Sequence, residues 1–176
     1  MTKTNWYVIT GGPCSGKTTA LKLLREKGYK TQDEAARIYF DKQLSLGKTI
    51  EEIRQDEGQV QKELFYLKEK IENGLPKNEL IFLDRAIPDS IAYYEVAGLS
   101  PRDKRLLESV KKTHYKKIFL FELVGNEQDN VRTDNKIAKK IESLLEKYYH
   151  QAGFEVVRVP DMGKPEKRVE FILKNL

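Results

Sequence analysis

An apolar run, Trp6-Tyr-Val-Ile-Thr10, stops at a glycine pair and passes into the spacing G-x-x-x-x-G-K-T over residues 11–18. No other stretch constrains the chain as strongly. Gly11, Gly12 and Gly16 admit backbone angles that residues with a Cβ resist, so successive N–H groups can converge on an anion. A helix predicted to open at Lys17 adds its positive N-terminal end. A strand before and a helix after are the context that a phosphate-binding loop requires. Gly11, Gly12, Pro13, Cys14, Ser15, Gly16, Lys17, Thr18 and Thr19 are therefore expected to hold a nucleoside triphosphate, ATP or GTP. Lys17 is expected to reach the β- and γ-phosphates and Thr18 to place its hydroxyl on Mg²⁺.

The 176 residues suit one domain, and 39% hydrophobic content can bury a core beneath a surface rich in charge. No apolar run approaches membrane-spanning length and no basic-then-apolar leader precedes the first strand, so a cytoplasmic protein without membrane contact is expected. The single cysteine, Cys14, excludes an internal disulfide, and with two scattered histidines it makes no zinc set. Any metal should arrive with the nucleotide. The net charge of +5 is spread along the chain, which reads as solvated surface and argues against nucleic acid as a partner.

Apolar spacing predicts a first helix over 18–27 ending before Gly28, a short strand over 29–31, and a helix beginning at Asp33 with acids in its first turn. Ile50, Ile53, Val60, Leu64, Leu67 and Ile71 predict one long helix over about 51–73, with Glu57 on its seam, either facing a ligand or an exposed helix-end acid. Strands are expected over 80–83, 118–122 and 154–159. Helices are expected over 88–97, over 102–113 behind a Ser100-Pro101 cap, along the stripe Ile137 to Tyr148, and at the C-terminus. This βα alternation implies a three-layer α/β/α domain over residues 1–176 with five parallel strands, and a lid segment at about 124–135. Ligands in such sheets bind beyond the carboxyl ends of the strands, where Gly11, Glu34 and Asp84 all fall.

The order of Gly11-Gly-Pro-Cys-Ser-Gly-Lys-Thr18, Glu34-Ala-Ala-Arg37, Phe82-Leu-Asp-Arg85 with Pro88-Asp-Ser-Ile-Ala-Tyr-Tyr94, and Val131-Arg-Thr133 resembles the P-loop kinase superfamily. Within it, the chain is similar to the AAA-type ATP-binding domain family that includes ribosylnicotinamide-kinase-like proteins. The resemblance spans nearly the whole chain and implies strand order 2-3-1-4-5 and an NTP-dependent phosphotransferase or NTPase. In related nucleoside kinases an acid after the second strand acts as general base and an arginine after the third-strand acid contacts phosphate; Glu34 and Arg85 occupy comparable places. The nucleoside kinases' own signature around those residues is not reproduced, so Asp84 competes with Glu34 for the base.

Asp84 is also the candidate Mg²⁺ ligand beside Thr18, being a strand-end acid at the catalytic edge. Arg85 and Arg37 could neutralise phosphate or pair with the neighbouring acids. Arg132, in a polar connection after the fourth strand, could close onto the γ-phosphate or be a solvated arginine. The basic cluster Lys111 to Lys117 reads as solvated surface opposite the catalytic edge, and the loop 160–164 as a possible border of the nucleotide base. The leading expectation is an ATP-dependent phosphotransferase whose acceptor is a small nucleoside- or nucleotide-like metabolite. The rival is an ATP/GTP-binding switch without a small-molecule acceptor. Its guanine signature is weak, because in Gly125-Asn-Glu-Gln-Asp129 a glutamate stands where N-K-x-D has lysine.

Overall fold

The hydrophobic runs Tyr7-Val8-Ile9, Phe82-Leu83 and Ile118-Phe119-Leu120-Phe121 are almost inaccessible to solvent, as strands covered on both faces must be. The computed structural model describes residues 3–124 and 133–176. Its strands are β1 (Trp6–Gly11), β2 (Lys30–Gln32), β3 (Ile81–Asp84), β4 (Lys117–Phe121) and β5 (Val156–Val159), all parallel, in the order β2-β3-β1-β4-β5. The five-stranded parallel sheet and its order agree with the sequence reading. β1 is central, so the loop that follows it emerges between the ends of β3 and β4.

Side chains alternate across the sheet. Val8, Ile81, Leu83, Ile118 and Leu120 pack with α5 (Asp89–Val96), α6 (Lys104–Lys112) and α7 (Thr133–Gln151). Tyr7, Ile9, Phe82, Phe119 and Phe121 pack on the other face with α1 (Lys17–Glu26) and α8 (Pro165–Lys174). A third cluster, Ile53, Val60 and Leu64 against Ala36, Tyr39 and Phe40, joins α2 (Ala35–Ser45), α3 (Ile50–Arg54) and α4 (Glu57–Gly74).

Four local expectations are corrected. The single helix over 51–73 is two, α3 and α4, because Asp56 leaves helical geometry and its carboxylate accepts the Gln59 N–H at 2.9 Å. Asp serves a cap better than a helix interior. Glu57 is thereby a first-turn acid, 41% exposed, near Arg54 at 3.7 Å and accepting from Gln61 at 2.8 Å, so it takes the exposed helix-end role. The α6 cap is Asp103, whose carboxylate accepts the Leu106 N–H at 2.9 Å, in place of Ser100-Pro101. Asp33 and Glu34 precede α2, which has no acid in its first turn. Along α7, Ile141, Leu144, Leu145 and Tyr148 are buried as the stripe predicts, whereas Ile137 is exposed and Ala138 and Tyr149 are buried in its stead.

Candidate active site at the carboxyl edge of the sheet

The loop after β1 is shaped by a close approach and a left-handed turn. A Cβ on Gly11, at φ +147°, would lie 2.5 Å from the Phe121 carbonyl oxygen of the neighbouring strand, and Gly16, the residue preceding α1, sits at φ +86°. Only glycine meets both demands without strain. Ser15 is buried, Pro13 and Cys14 are exposed, and Thr18 and Thr19 are exposed in the first turn of α1. Lys17 turns inward: its amine donates to the Gly12 carbonyl at 2.7 Å and the Ser15 hydroxyl at 3.1 Å. Burial pushes its pKa down to about 8, helped by the Arg85 charge and opposed by Asp84, Glu34 and Asp89. The amine is thus held beneath the loop next to acids that keep it a cation at neutral pH.

β3 brings the second group. Asp84 pairs in register with Ile9, and the Arg85 N–H donates to the Ile9 carbonyl at 3.0 Å, so both residues stand at the root of the loop. Asp84 is largely buried, and its Oδ1 has no hydrogen-bond partner. Burial raises its pKa to about 6, with Glu34 adding to the rise and Arg85 and Lys17 opposing it. Arg85 adopts φ +63°, a left-handed conformation that a side-chain-bearing residue keeps only when its surroundings impose it. Those surroundings are Glu34, whose Oε1 accepts from Nε at 2.6 Å, Asp89 at 3.8 Å, and the Tyr93 ring, 5.0 Å from the guanidinium. Burial works against the Arg85 charge, but Tyr93, Glu34, Asp89 and Asp84 outweigh it and hold the group protonated. One of its terminal nitrogens, Nη1, makes no hydrogen bond.

Lys17, Asp84, Arg85 and Glu34 are therefore brought together. Arg37 is not: it is exposed on α2, and the partner of Glu34 is Arg85. Arg132 lies outside the described residues, as does most of the expected lid segment. The basic cluster lies at the opposite edge of the sheet, with Lys111, Lys112 and Lys116 exposed and Tyr115 buried.

Two charged residues that the sequence reading passed over support this site from below. Asp89, wholly buried, accepts from the Thr10 hydroxyl at 2.5 Å, the Ala86 N–H at 3.0 Å and the Tyr149 hydroxyl, tying β1, α5 and α7 together beside Arg85. Lys68 of α4 is buried, donates to the Ser90 hydroxyl at 3.0 Å, and has its pKa lowered by burial. The signal for Lys68 was its place four residues after Leu64 on an apolar stripe, where a charge has to be paired or used.

Thr18 and Asp84 offer hard oxygen donors, and the unpartnered buried Oδ1 of Asp84 is the kind of acceptor that Mg²⁺ or its bound water satisfies. Among the described residues no group of three or more His, Cys, Asp or Glu is placed to hold a metal. A cavity of about 880 Å³ lies elsewhere, beside Ile91, Tyr115 and Phe154 and the C-terminal ends of α6 and α7. No helix among the described residues is long and apolar enough to cross a membrane.

The sequence profile of a family described as "AAA domain" matches residues 6–168. No curated protein matches by sequence. Solved structures match the fold: a NadR protein in complex with NR, at TM-score 0.72 and 16% identity over 97% of this chain and 51% of that one. A thymidylate kinase from Ehrlichia chaffeensis follows at TM-score 0.66 and 13% identity, covering 99% of both chains. A deoxyadenosine kinase from M. mycoides with bound dATP has TM-score 0.61 and 13% identity, over 97% of this chain and 98% of that one. The chain spans about half the length of the NadR chains it matches. At these identities the likeness is one of fold, that of the P-loop kinases.

Proposed function

We propose that this chain, which belongs to the AAA domain family, is an ATP-dependent phosphotransferase acting on a small nucleoside- or nucleotide-like metabolite. The observation that carries the proposal is the Glu34–Arg85 pair at 2.6 Å beside Asp84 and the Lys17 amine. A protein that only binds nucleotide needs the phosphate loop and Mg²⁺; a second carboxylate held by a buried arginine supports a group that orients an acceptor hydroxyl. The NR-bound NadR and the dATP-bound deoxyadenosine kinase support a nucleoside-like acceptor, and a NadR structure with NAD and AMP-PNP supports an adenine nucleotide donor.

Mg²⁺-bound ATP would supply an activated γ-phosphoryl group. The loop N–H groups and the N-terminus of α1 bind its phosphates, and Lys17 neutralises charge that grows in transfer. Thr18 and Asp84 would hold Mg²⁺. Glu34, at the open side of the pair, orients the acceptor hydroxyl and takes its proton; a loose transition state demands little more of a base. Arg85 fixes Glu34, and its guanidinium charge would offset charge on the transferring phosphate.

A panel of nucleosides, nucleoside monophosphates and related alcohols, scored for ADP and GDP release against a control without acceptor, tests the proposal. Acceptor-dependent release is expected. Tight nucleotide binding with slow, acceptor-independent release would overturn it in favour of an NTPase switch.

The two carboxylates separate by role. Glu34→Gln is expected to lower turnover roughly 10²-fold or more with Mg-nucleotide affinity little changed, whereas Asp84→Asn weakens both turnover and affinity. Calorimetry with Mg-nucleotide beside steady-state rates would show the reverse pattern if the roles were exchanged.

The profile of kcat/KM against pH is expected to be bell-shaped, since this ratio reports groups of the free enzyme. Asp84, raised to about 6, is neutral below that pH, so activity climbs as it ionises. Lys17, lowered to about 8, loses its charge above that pH, so activity declines there. Asp84→Asn should remove the acid limb. An acid limb that survives the substitution unchanged assigns it to another group.

A further inference from the structure

The last helix reaches the phosphate loop through one side chain. Arg168 of α8 is buried, and its guanidinium donates to three main-chain carbonyls: Ser15 in the loop after β1 at 2.6 Å, Glu122 after β4 at 2.9 Å, and Pro160 after β5 at 2.7 Å. The Phe121 ring lies 5.1 Å from it. A Cβ on Gly16 would lie 3.3 Å from Nη1, so the guanidinium is seated directly against the Ser15–Gly16 peptide.

This geometry has a consequence for the anion nest. No cis peptide occurs among the described residues, and across a trans peptide the carbonyl and the following N–H point to opposite sides. Drawing the Ser15 carbonyl toward α8 therefore turns the Gly16 N–H away from α8, toward the concave side of the loop. Without that hold the peptide could rotate, because Gly16 at φ +86° has no Cβ to oppose it. Three carbonyls presented to one planar fork are also a match that a flexible ammonium cannot reproduce.

We infer that Arg168 is a positioning residue for the phosphate cradle, locking the Ser15–Gly16 peptide so that the Gly16 N–H is preset for the β-phosphate; the inference rests on the reading of residues 11–18 as a phosphate-binding loop. It acts through the backbone and need not touch nucleotide. Ligands with two linked phosphates depend on it, and ligands without a β-phosphate do not.

Calorimetric titration of the full chain with inorganic pyrophosphate and with AMP tests this, on wild type, Arg168→Met and Arg168→Lys, with thermal melts as the control for folding. Arg168→Met is expected to bind pyrophosphate about tenfold more weakly or worse, the loss that a charge-assisted hydrogen bond predicts. AMP affinity should stay unchanged, and Arg168→Lys should fall between Met and wild type. Unchanged pyrophosphate affinity in a folded Arg168→Met protein overturns the inference, as does an equal loss for AMP, which would mark a general structural role. Full recovery in Arg168→Lys also overturns it, since charge without the fork would then suffice. If Arg168→Met fails to fold, Arg168→Lys decides alone: weaker pyrophosphate with unchanged AMP supports the lock, and unchanged pyrophosphate removes it. A wild-type protein that binds no pyrophosphate defeats the phosphate-loop reading itself, an outcome distinct from wild-type binding that Arg168→Met leaves intact.

Discussion

Lys17→Ala is expected to abolish turnover, by roughly 10³-fold or more, while the protein stays folded. The amine is hydrogen-bonded inside the loop, to the Gly12 carbonyl and the Ser15 hydroxyl, and in the proposed reaction it neutralises charge on the transferring phosphoryl group. Its removal does little to the fold because burial already disfavours its charge, as the fall of its pKa to about 8 records. What the fold loses is the donor to a carbonyl and a hydroxyl, about 1–3 kcal/mol before water enters. Circular dichroism and a cooperative melt would establish folding, and ADP release with the true acceptor would establish rate. Near-normal turnover in the folded variant would remove the phosphate loop from the chemistry.

Arg85 is expected to be as costly for turnover and far more costly for stability. In Arg85→Ala the transferring phosphate loses a guanidinium and Glu34 loses the group that orients it, so a fall of roughly 10³-fold in kcat is expected. The substitution also strips the wholly buried Asp89 of its nearest cation, and breaking a buried ion pair from one side costs about 3–5 kcal/mol. Arg85→Gly isolates the backbone contribution. The residue sits at φ +63°, so glycine should be more stable than alanine there by about 1 kcal/mol while remaining equally inactive. Urea denaturation of the two variants side by side measures that difference. Equal stability would mean that the left-handed turn carries no strain, and wild-type kcat in either variant would take Arg85 out of the site.

The phosphate loop was legible from residues 11–18 because its requirements are local: glycines at three positions, a lysine, a hydroxyl, and an apolar strand before them. The parallel sheet followed for a similar reason, since strands buried on both faces are mainly apolar and so stand out as apolar runs. Asp84 and Arg85 could be placed at the catalytic edge because they directly follow such a run. Short-range competition was harder to read. Asp56 divides one apolar periodicity into two helices by a single side-chain hydrogen bond, and Asp103 takes the cap from Ser100 three residues earlier.

Pairings between distant residues depended on tertiary structure alone. Arg37 stands one helical turn from Glu34, yet Arg85, 51 positions away, is the partner, because crossover connections bring strand ends together whatever their separation along the chain. Asp89 falls inside the motif Pro88 to Tyr94 without a role of its own there, and neither Lys68 nor Arg168 is singled out by a local motif. Burial of their charges is tolerable only where hydroxyls, backbone groups or opposite charges from other elements satisfy them, and a linear sequence does not state which elements will meet. Thus the sequence by itself determined the fold class and the glycine pattern of the loop after β1. Which carboxylate Arg85 holds, and that an arginine of the last helix grips the loop backbone, were decided by packing.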